Sequence, residues 1–486
     1  MRVRPWLIAS AILFCSACSG ALRSGAPADP RTPWIPPAHA LVDPGTATQP
    51  AYPPEAIPRD EKLDLAQVVD IALTNDPDTS RAWLDAKRAA AQRMQTFALY
   101  LPEGSVDFQA SWIKLDIDER LARGHDYDAT NWGPGANVGL LLFDFFGREA
   151  SVAAATRSLD AANFGFNQTL QDTVAAVATE YYQLWAALES RTAAAASLVD
   201  AEASLKAAQA KHEAGLAPIQ DVYRARARYE DARYEVAATR TEVESARARL
   251  AASIGLEAIA DLEIRAPELP SDHAALLESV EDATARALSV KPSLLASYAR
   301  FAAAEELTRT AQSQLFPQLV AAYSADWSWG DFTNDPSEHQ TAYASVQWNV
   351  FDLFRNYYAF EEAQLEAQQA ATAARAAELQ TAANVWSDWW SFRSSIEQAR
   401  AREAALEAAE ATWTLTRTSY DAGLSDILDL LTAQVDLANA READIAARAR
   451  MATSLIQLAH ATGTLQPGEP AATGAPRPAP TPQETR

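Results

Sequence analysis

Cysteine, methionine, histidine and positive charge are all scarce in this chain. Its 486 residues include two Cys, three Met and six His, and 64 Asp and Glu outnumber 41 Lys and Arg to give a net charge of −23. Phosphate binding depends on clustered Lys and Arg, so this balance argues against a nucleic-acid partner. The chain also has no Walker pattern and no HExxH motif. We therefore predict no enzymatic activity, no cofactor and no metal. The histidines are interpreted as solvated or structural rather than as metal ligands: His39, His125, His212, His273, His339 and His460.

Both cysteines, Cys15 and Cys18, lie close to the beginning of the chain. Two arginines precede an apolar run of about 12 residues, which is the layout of a secretory signal peptide and is short for a transmembrane helix. The sequence around Cys18 resembles a bacterial lipoprotein signal, although Cys15 replaces the usual Leu. This predicts a signal peptide over residues 1–17 and a lipidated Cys18. The alternative is ordinary signal-peptidase cleavage near Ala17 or Ala21.

Proline-rich segments divide the rest of the chain. Residues 18–61 are rich in Pro and Ala and are interpreted as a linker. Residues 464–486 carry six prolines and are interpreted as a disordered tail. A connector at 255–275 separates two regions, 62–254 and 276–463, in which apolar residues recur mainly at helical spacing.

Each of these regions also contains two stretches in which apolar and polar residues alternate. Val106, Phe108, Ala110 and Trp112, for example, alternate with polar neighbours. Alternation predicts strands with one apolar face. The four strands are predicted at about 104–115, 135–144, 318–329 and 341–351.

A long helical arm without proline follows each strand pair. Each arm has about 68 residues and would measure about 100 Å at 1.5 Å per residue. Both arms end at an Ala-Gly-Leu turn, at Gly215 and at Gly423, after which a shorter helix returns.

The two regions are copies of one unit. Before the strands, two prolines recur at one constant spacing, Pro77 as Pro292 and Pro102 as Pro317. After the strands, two glycines recur at a slightly smaller constant spacing, Gly215 as Gly423 and Gly255 as Gly463. The register is constant on both sides of the strands, so the difference falls in one hairpin loop. Such a pattern indicates an internal duplication.

Four amphipathic strands cannot close a barrel alone, but three chains would supply 12. The strand lengths suit tilted transmembrane β-strands, and tryptophans near the strand ends suit interfacial girdles. The predicted fold is therefore mostly α, with long helical hairpins and four strands per chain. A trimer would form a 12-strand transmembrane β-barrel and a 12-helix periplasmic tunnel. A soluble sheet packed on helices is the alternative, but it leaves the two long arms unexplained.

Over residues 62–463 the chain resembles the TolC-type outer-membrane efflux proteins. The resemblance is carried by the duplicated layout, by the Phe-Asp motifs at Phe143 and Phe351, and by both Ala-Gly-Leu tips. This chain departs from the family pattern at Arg355, which stands in place of a glycine. The turn from the second strand pair into the second long helical arm is therefore expected to differ from the first. The resemblance implies a homotrimer in the outer-membrane lipid that works with a periplasmic adaptor and an inner-membrane pump.

The resemblance also assigns roles at the tips. Asp429 falls on a position that constricts the pore, where three carboxylates would attract cations, and Asp426 lies one turn earlier. The alternative for Asp429 is a solvated residue favoured by the helix dipole. Tyr420 and Asp221 match an interprotomer contact. Ser425 replaces the arginine of that contact. The tips themselves are expected to contact the adaptor through Gly215, Leu216, Gly423 and Leu424.

A periplasmic coiled-coil scaffold or adaptor with a small sheet is the competing class of function. Such a protein would need neither tryptophan girdles nor a trimeric barrel. The exported substrate is not readable from the sequence, because selectivity in the resembling family lies largely in the pump.

Overall fold

The structure is a computed structural model, and it describes residues 62–115, 127–257, 262–267, 278–330 and 333–465. The predicted signal peptide, the lipidation site Cys18, the linker and nearly all of the predicted tail lie outside these ranges. The described residues belong to one compact unit.

One order of elements occurs twice. The first copy consists of α1 (Leu65–Asn75), α2 (Pro77–Phe97), β1 (Glu103–Leu115), β2 (Tyr127–Phe143), α3 (Gly147–Glu213) and α4 (Ile219–Ser253). The second consists of α5 (Val280–Val290), α6 (Pro292–Ser313), β3 (Gln318–Gly330), β4 (Thr333–Gln347), α7 (Leu353–Asp421) and α8 (Ile427–Ala461). Short 3-10 turns follow α2 at Ala98–Tyr100 and precede α7 at Val350–Asp352.

The two long helices have different surroundings. Helix α3, of 67 residues, packs against α4 and α8 and also against α2 and α6. Helix α7, of 69 residues, packs against α8, α6 and the short α5. At 1.5 Å per residue both are about 100 Å long. Within the described chain α3 is thus flanked on both sides, whereas α7 keeps an open face.

An equivalent contact in each copy anchors the middle of the long helix. The Tyr181 hydroxyl donates to the Leu63 carbonyl, just before α1, at 3.4 Å, and it also lies 2.5 Å from the Arg265 carbonyl. The Trp389 indole donates to the Glu278 carbonyl, just before α5, at 2.9 Å. The two aromatic residues are separated by the same spacing as the two turn glycines. Each therefore ties its long helix to the segment just before the first short helix of its own copy, next to a buried apolar cluster.

The four strands form one antiparallel sheet in the order β1-β2-β3-β4. Trp132 lies opposite Trp329 across the central pair, and their rings stack at 5.2 Å. Strands β1 and β4 each have one strand neighbour within the described residues, so the sheet has two open edges.

The predicted bounds of two strands were wrong. Strand β2 begins at Tyr127 rather than at 135, and β4 spans Thr333–Gln347 rather than 341–351. The polar residues before each strand were interpreted as loop, but the hairpin ladder satisfies their backbone groups, since Leu115 pairs with Tyr127 and Gly330 with Thr333. Apolar alternation continues to residue 350, but the backbone leaves the ladder after Gln347 and turns at Val350–Asp352.

The two turns from sheet to long helix differ, as the substitution by Arg355 led us to expect. In the first, buried Arg148 donates to the carbonyls of Leu141 and Leu142, at 2.7 and 3.1 Å, and its backbone N–H donates to Asp144. A Cβ at Gly147 would collide with Ser313, so this turn requires glycine. In the second, Arg355 pairs with Asp352 at 3.5 Å on the surface.

Large apolar side chains on the strands are exposed in the single chain. The exposed fractions are 84% for Val106, 66% for Phe108 and 63% for Trp112. Among the described helices, none is both long and apolar enough to cross a membrane.

Candidate functional site

The candidate site is the pair of Gly-containing turns at the ends of the hairpins. Gly215 and Gly423 have positive φ angles of 73° and 74°. In the first turn the Leu216 N–H donates to the Lys211 carbonyl at 2.7 Å, and in the second the Leu424 N–H donates to the Ser419 carbonyl at 2.8 Å. These are the bonds of a Schellman-type helix end, in which a left-handed residue is usually glycine.

Both turn leucines point away from the core. Leu216 is 78% exposed and Leu424 is 84% exposed. Exposed large apolar side chains at a chain turn are available for contact with another protein.

The helices that leave the turns begin differently. Asp426 caps α8 by accepting a hydrogen bond from the Asp429 N–H at 2.9 Å, whereas Pro218 precedes α4 without a side-chain cap. The Ser425 hydroxyl then donates to the Asp429 carboxylate at 2.9 Å. Asp426, which precedes α8, and Asp429, in its first turn, are both exposed carboxylates. Ser425, which replaces the expected arginine, orients the Asp429 carboxylate.

Tyr420 is the buried residue of the second tip, with an exposed fraction of 3%. It joins an apolar cluster with Trp413, Ile427 and Leu431. Within the described part of the chain its hydroxyl has no hydrogen-bond partner. Burial raises the pKa of Tyr420, and the Asp221 and Asp421 carboxylates raise it further.

The structure brings Asp221 near Tyr420 but does not join them by a hydrogen bond within one chain. Asp221 instead pairs with Arg224 in the first turn of α4, at 3.3 Å. The contact predicted for Tyr420 and Asp221 joins two neighbouring chains of a trimer. The pairing of Asp221 with Arg224 inside one chain does not test that contact, which stays a prediction.

Sequence reasoning missed Lys211. Its ammonium lies 3.5 Å from the centroid of the Tyr420 ring and donates to the Tyr420 backbone carbonyl. Ser425 stands where the resemblance implies an arginine, so the cation expected beside Tyr420 is missing from that position. This replacement was the signal in the sequence that another cation could lie next to Tyr420. Lys211 lies on the first hairpin, one helical turn before its glycine, and ties the two tips together.

Long helical hairpins that carry a small open-edged sheet at one end and paired turns at the other define an outer-membrane channel of the TolC-like fold. The chain belongs to the outer membrane efflux protein family, whose model matches residues 68–256 and 283–464. The two matched segments correspond to the two copies of the element order. The chain is therefore an outer-membrane channel component of an export system, and the scaffold alternative is set aside.

Known proteins resemble the chain over most of its length. It is 27% identical to Protein CyaE of Bordetella pertussis over 447 residues, covering 87% of this chain and 90% of that protein. It is 25% identical to the pyoverdine export outer membrane protein OpmQ of Pseudomonas aeruginosa over 408 residues, covering 81% and 83%. The solved structure of the outer membrane protein VceC from Vibrio cholerae matches with a TM-score of 0.71 at 20% identity, covering 82% and 96%.

Proposed function

We propose that three copies of this chain form a closed conduit that crosses the outer membrane and continues into the periplasm. The observation that carries this proposal is the four-stranded sheet with open edges at β1 and β4. Open edges expose unpaired backbone groups, which a membrane does not tolerate. Pairing β4 of each copy with β1 of the next removes every edge and yields 12 strands.

The helices support the same arrangement. On the open face of α7, Trp386 is 52% exposed and Trp390 is 46% exposed. On α2, Leu84 is 54% exposed and Met94 is 61% exposed. Apolar side chains of this size on two separate helix faces favour burial between copies.

The outer face of the sheet meets lipid. Val106, Phe108 and Trp112 lie on one face of β1, and all three are largely exposed in the single chain. Burial of such residues in hydrocarbon is favourable. Cys18 carries a lipid that adds a second attachment to the same membrane, and the linker 18–61 joins it to α1.

The tips are the periplasmic end of the conduit. The exposed turns at Gly215, Leu216, Gly423 and Leu424 contact a periplasmic adaptor, which joins the conduit to an inner-membrane pump. Three copies of Asp429, with Asp426 one turn away, form an acidic constriction. Tyr420 and Asp221 of neighbouring copies contribute to closure, and Ser425 orients the Asp429 carboxylate.

The conduit passes its cargo without catalysing a reaction. The relative OpmQ is named for the export of pyoverdine, which supports transport of a secreted product toward the exterior. Cargo selection belongs to the pump, because the conduit is a passage that the pump feeds.

The test is reconstitution of the purified full chain in planar lipid bilayers, together with native mass spectrometry in detergent. A trimer with discrete conductance steps is expected. A soluble monomer without conductance would contradict the proposal. Pull-down of an inner-membrane pump with the tagged chain checks the partner. A Cys18→Ser variant with a non-lipoprotein signal peptide tests the barrel separately from the lipid anchor, because the barrel alone should keep it in the outer-membrane fraction.

A further inference from the structure

We infer that a cleft between α3, α4 and α8 is a binding site for an organic dication of the alkyl diamine class. The cleft has a volume of about 340 Å³. Glu235 of α4 and Glu442 of α8 line it with exposed carboxylates, and Gln434 of α8 lines it with a buried amide. All of these groups belong to one chain, so the site does not depend on the proposed trimer.

The cleft exists because α4 and α8 both pack on α3 but make little contact with each other. Its walls carry small side chains, namely Ala193 and Ala194 of α3, Ala232 of α4 and Ala438 of α8. Protein interiors are otherwise closely packed, and larger side chains at these positions would fill the gap. A ligand in the cleft therefore touches three helices at once.

The charge of the lining favours a cation. One arginine and three carboxylates line the cleft. Arg228 lies 3.5 Å from Asp231 on the same helix, so the charges of this pair offset each other. Within the described ranges neither Glu235 nor Glu442 has an ion-pair partner. Two negative charges are thus left unbalanced at the cleft.

These carboxylates also repel one another. Burial raises the pKa of Glu442, and the Glu235 and Glu242 carboxylates raise it further. Crowding like charges costs stability, and such costs are retained where a function requires the arrangement. A cation between Glu235 and Glu442 would turn this repulsion into attraction.

Gln434 gives a second and independent indication of a ligand. The residue is only 9% exposed, and its Nε2 donates to the Ser197 carbonyl at 3.5 Å. Its Oε1 is buried and has no hydrogen-bond donor among the residues that the structure describes. A buried acceptor without a donor costs free energy. The cleft therefore offers carboxylate and amide oxygens to a ligand that only donates, and an ammonium group is such a ligand.

The geometry favours an organic cation over a metal ion. In the described part of the chain, no group of three or more His, Cys, Asp or Glu side chains is placed to hold a metal. An alkyl chain, by contrast, packs along the alanine walls and is removed from water there. Two ammonium groups balance Glu235 and Glu442, and one of them has N–H groups to spare for Gln434 Oε1.

The site is separate from the proposed acidic constriction. Glu442 follows Asp429 along α8 by about 20 Å at 1.5 Å per residue. A diamine in the cleft bridges α4 and α8, which are the returning helices of the two hairpins. Binding should therefore hold the two hairpins of one chain together.

The test is isothermal titration calorimetry of the full chain in detergent. Putrescine serves as the diamine, butylamine as the matched monocation and Mg²⁺ as the metal. Putrescine is expected to bind at one site per chain and to raise the melting temperature, because a ligand of the folded state stabilises it. Butylamine should bind about tenfold more weakly, because it leaves one carboxylate unpaired. Absence of putrescine binding, equal affinity for butylamine, or tighter binding of Mg²⁺ would overturn the inference.

Substitutions locate the site. Glu235→Gln and Glu442→Gln are each expected to weaken putrescine binding by about tenfold. Gln434→Leu should also weaken it, since leucine keeps a similar volume but has no acceptor oxygen. The control is Glu230→Gln, because Glu230 lies on α4 outside the cleft and pairs with Arg233. Unchanged affinity in the three site variants, or an equal loss in the control, would place the diamine elsewhere and overturn the inference.

The outcome is independent of the proposed conduit. Native mass spectrometry of the same sample reports whether the chain is trimeric, and the cleft is complete in each chain. Putrescine binding by a monomeric chain would support the site while contradicting the conduit. A conducting trimer that does not bind putrescine would overturn the site and leave the conduit in place.

Discussion

The ammonium of Lys211 sits against the ring of Tyr420, 3.5 Å from its centroid, and donates to the Tyr420 backbone carbonyl. A residue of the first hairpin thereby fixes the end of the long helix of the second. Lys211 supplies a positive charge at the tip where Ser425 has replaced the arginine that the family resemblance implies. This side chain therefore adds a charged contact to the apolar cluster that the two tips of one chain share.

Removal of this cation should loosen the tip. Lys211→Met keeps much of the side-chain volume but loses the cation–π contact and the charged hydrogen bond, which together stabilise by about 2 kcal/mol. We expect higher basal conductance in planar bilayers. Lys211→Arg retains a cation and should stay close to the natural protein. Equal conductance of the two variants would contradict a role for the charge.

Asp429 should control block by divalent cations. Three carboxylates brought close in a trimer attract divalent ions. Asp429→Ala is therefore expected to raise basal conductance and to weaken block by divalent cations, measured as a higher half-blocking concentration in bilayer recordings. Asp421→Ala is the matched control, since Asp421 is an exposed carboxylate at the same tip but ends α7. Unchanged block in Asp429→Ala would remove the acidic constriction from the proposal.

The sequence predicted the architecture well where the signal was periodic. The proline-free arms, the Gly215 and Gly423 turns and the constant spacing between the two copies all correspond to features of the structure. Strand bounds failed in polar stretches, because a hairpin ladder can continue through residues whose side chains favour loops. Pairing of Leu115 with Tyr127 shows this directly.

The tip chemistry was less accessible from the sequence. Asp429 and Tyr420 could be assigned from their place in the motif, but the partner of each depends on how the hairpins pack. Lys211 and Tyr420 lie on different hairpins, far apart along the chain, and no local pattern links them. The pairing of Asp221 with Arg224 follows helical spacing, but the position of Asp221 near Tyr420 depends on how the two hairpins pack.

Gly147 should be essential for the turn from β2 to α3. A Cβ at this position would collide with the Ser313 side chain, whereas a Cβ at Gly139 would have nothing within 4 Å. Overpacking of this kind costs about 1–3 kcal/mol. Gly147→Ala should therefore lower the melting temperature in thermal unfolding, and Gly139→Ala should leave it unchanged or raise it slightly, because alanine loses less backbone entropy than glycine in a strand. Similar melting temperatures for both variants would contradict the steric requirement.

Gly423 should be needed for its backbone conformation rather than for space. Its φ is 74° and a Cβ there would meet nothing within 4 Å. Gly423→Ala is expected to destabilise by about 1–2 kcal/mol, because an L-residue is strained in this conformation. Gly165→Ala in the interior of α3 is the control with the opposite sign. It meets no neighbour either, and alanine in a helix should stabilise by about 0.5–1 kcal/mol. Thermal unfolding of the two variants in opposite directions would support the assignment.

Glu442 should make stability depend on pH. Burial raises the pKa of Glu442, and the Glu235 and Glu242 carboxylates raise it further. The folded chain therefore holds this proton more tightly than the unfolded chain, whose glutamate pKa is about 4.3. Above that pH the glutamate ionises freely in the unfolded chain, whereas ionisation of Glu442 in the folded chain is disfavoured. The free energy of unfolding therefore decreases as pH rises through this range.

Glu442→Gln removes this cost. We expect a higher melting temperature than that of the natural protein at neutral pH, and a difference that shrinks as pH falls toward the ordinary glutamate pKa. Glu410→Gln, at an exposed position of α7, should show no such trend. Differential scanning calorimetry across the acidic to neutral range measures both. A gain for Glu442→Gln that is constant with pH would instead point to packing as its cause, since only an ionisation effect disappears when the carboxyl group is protonated in both states.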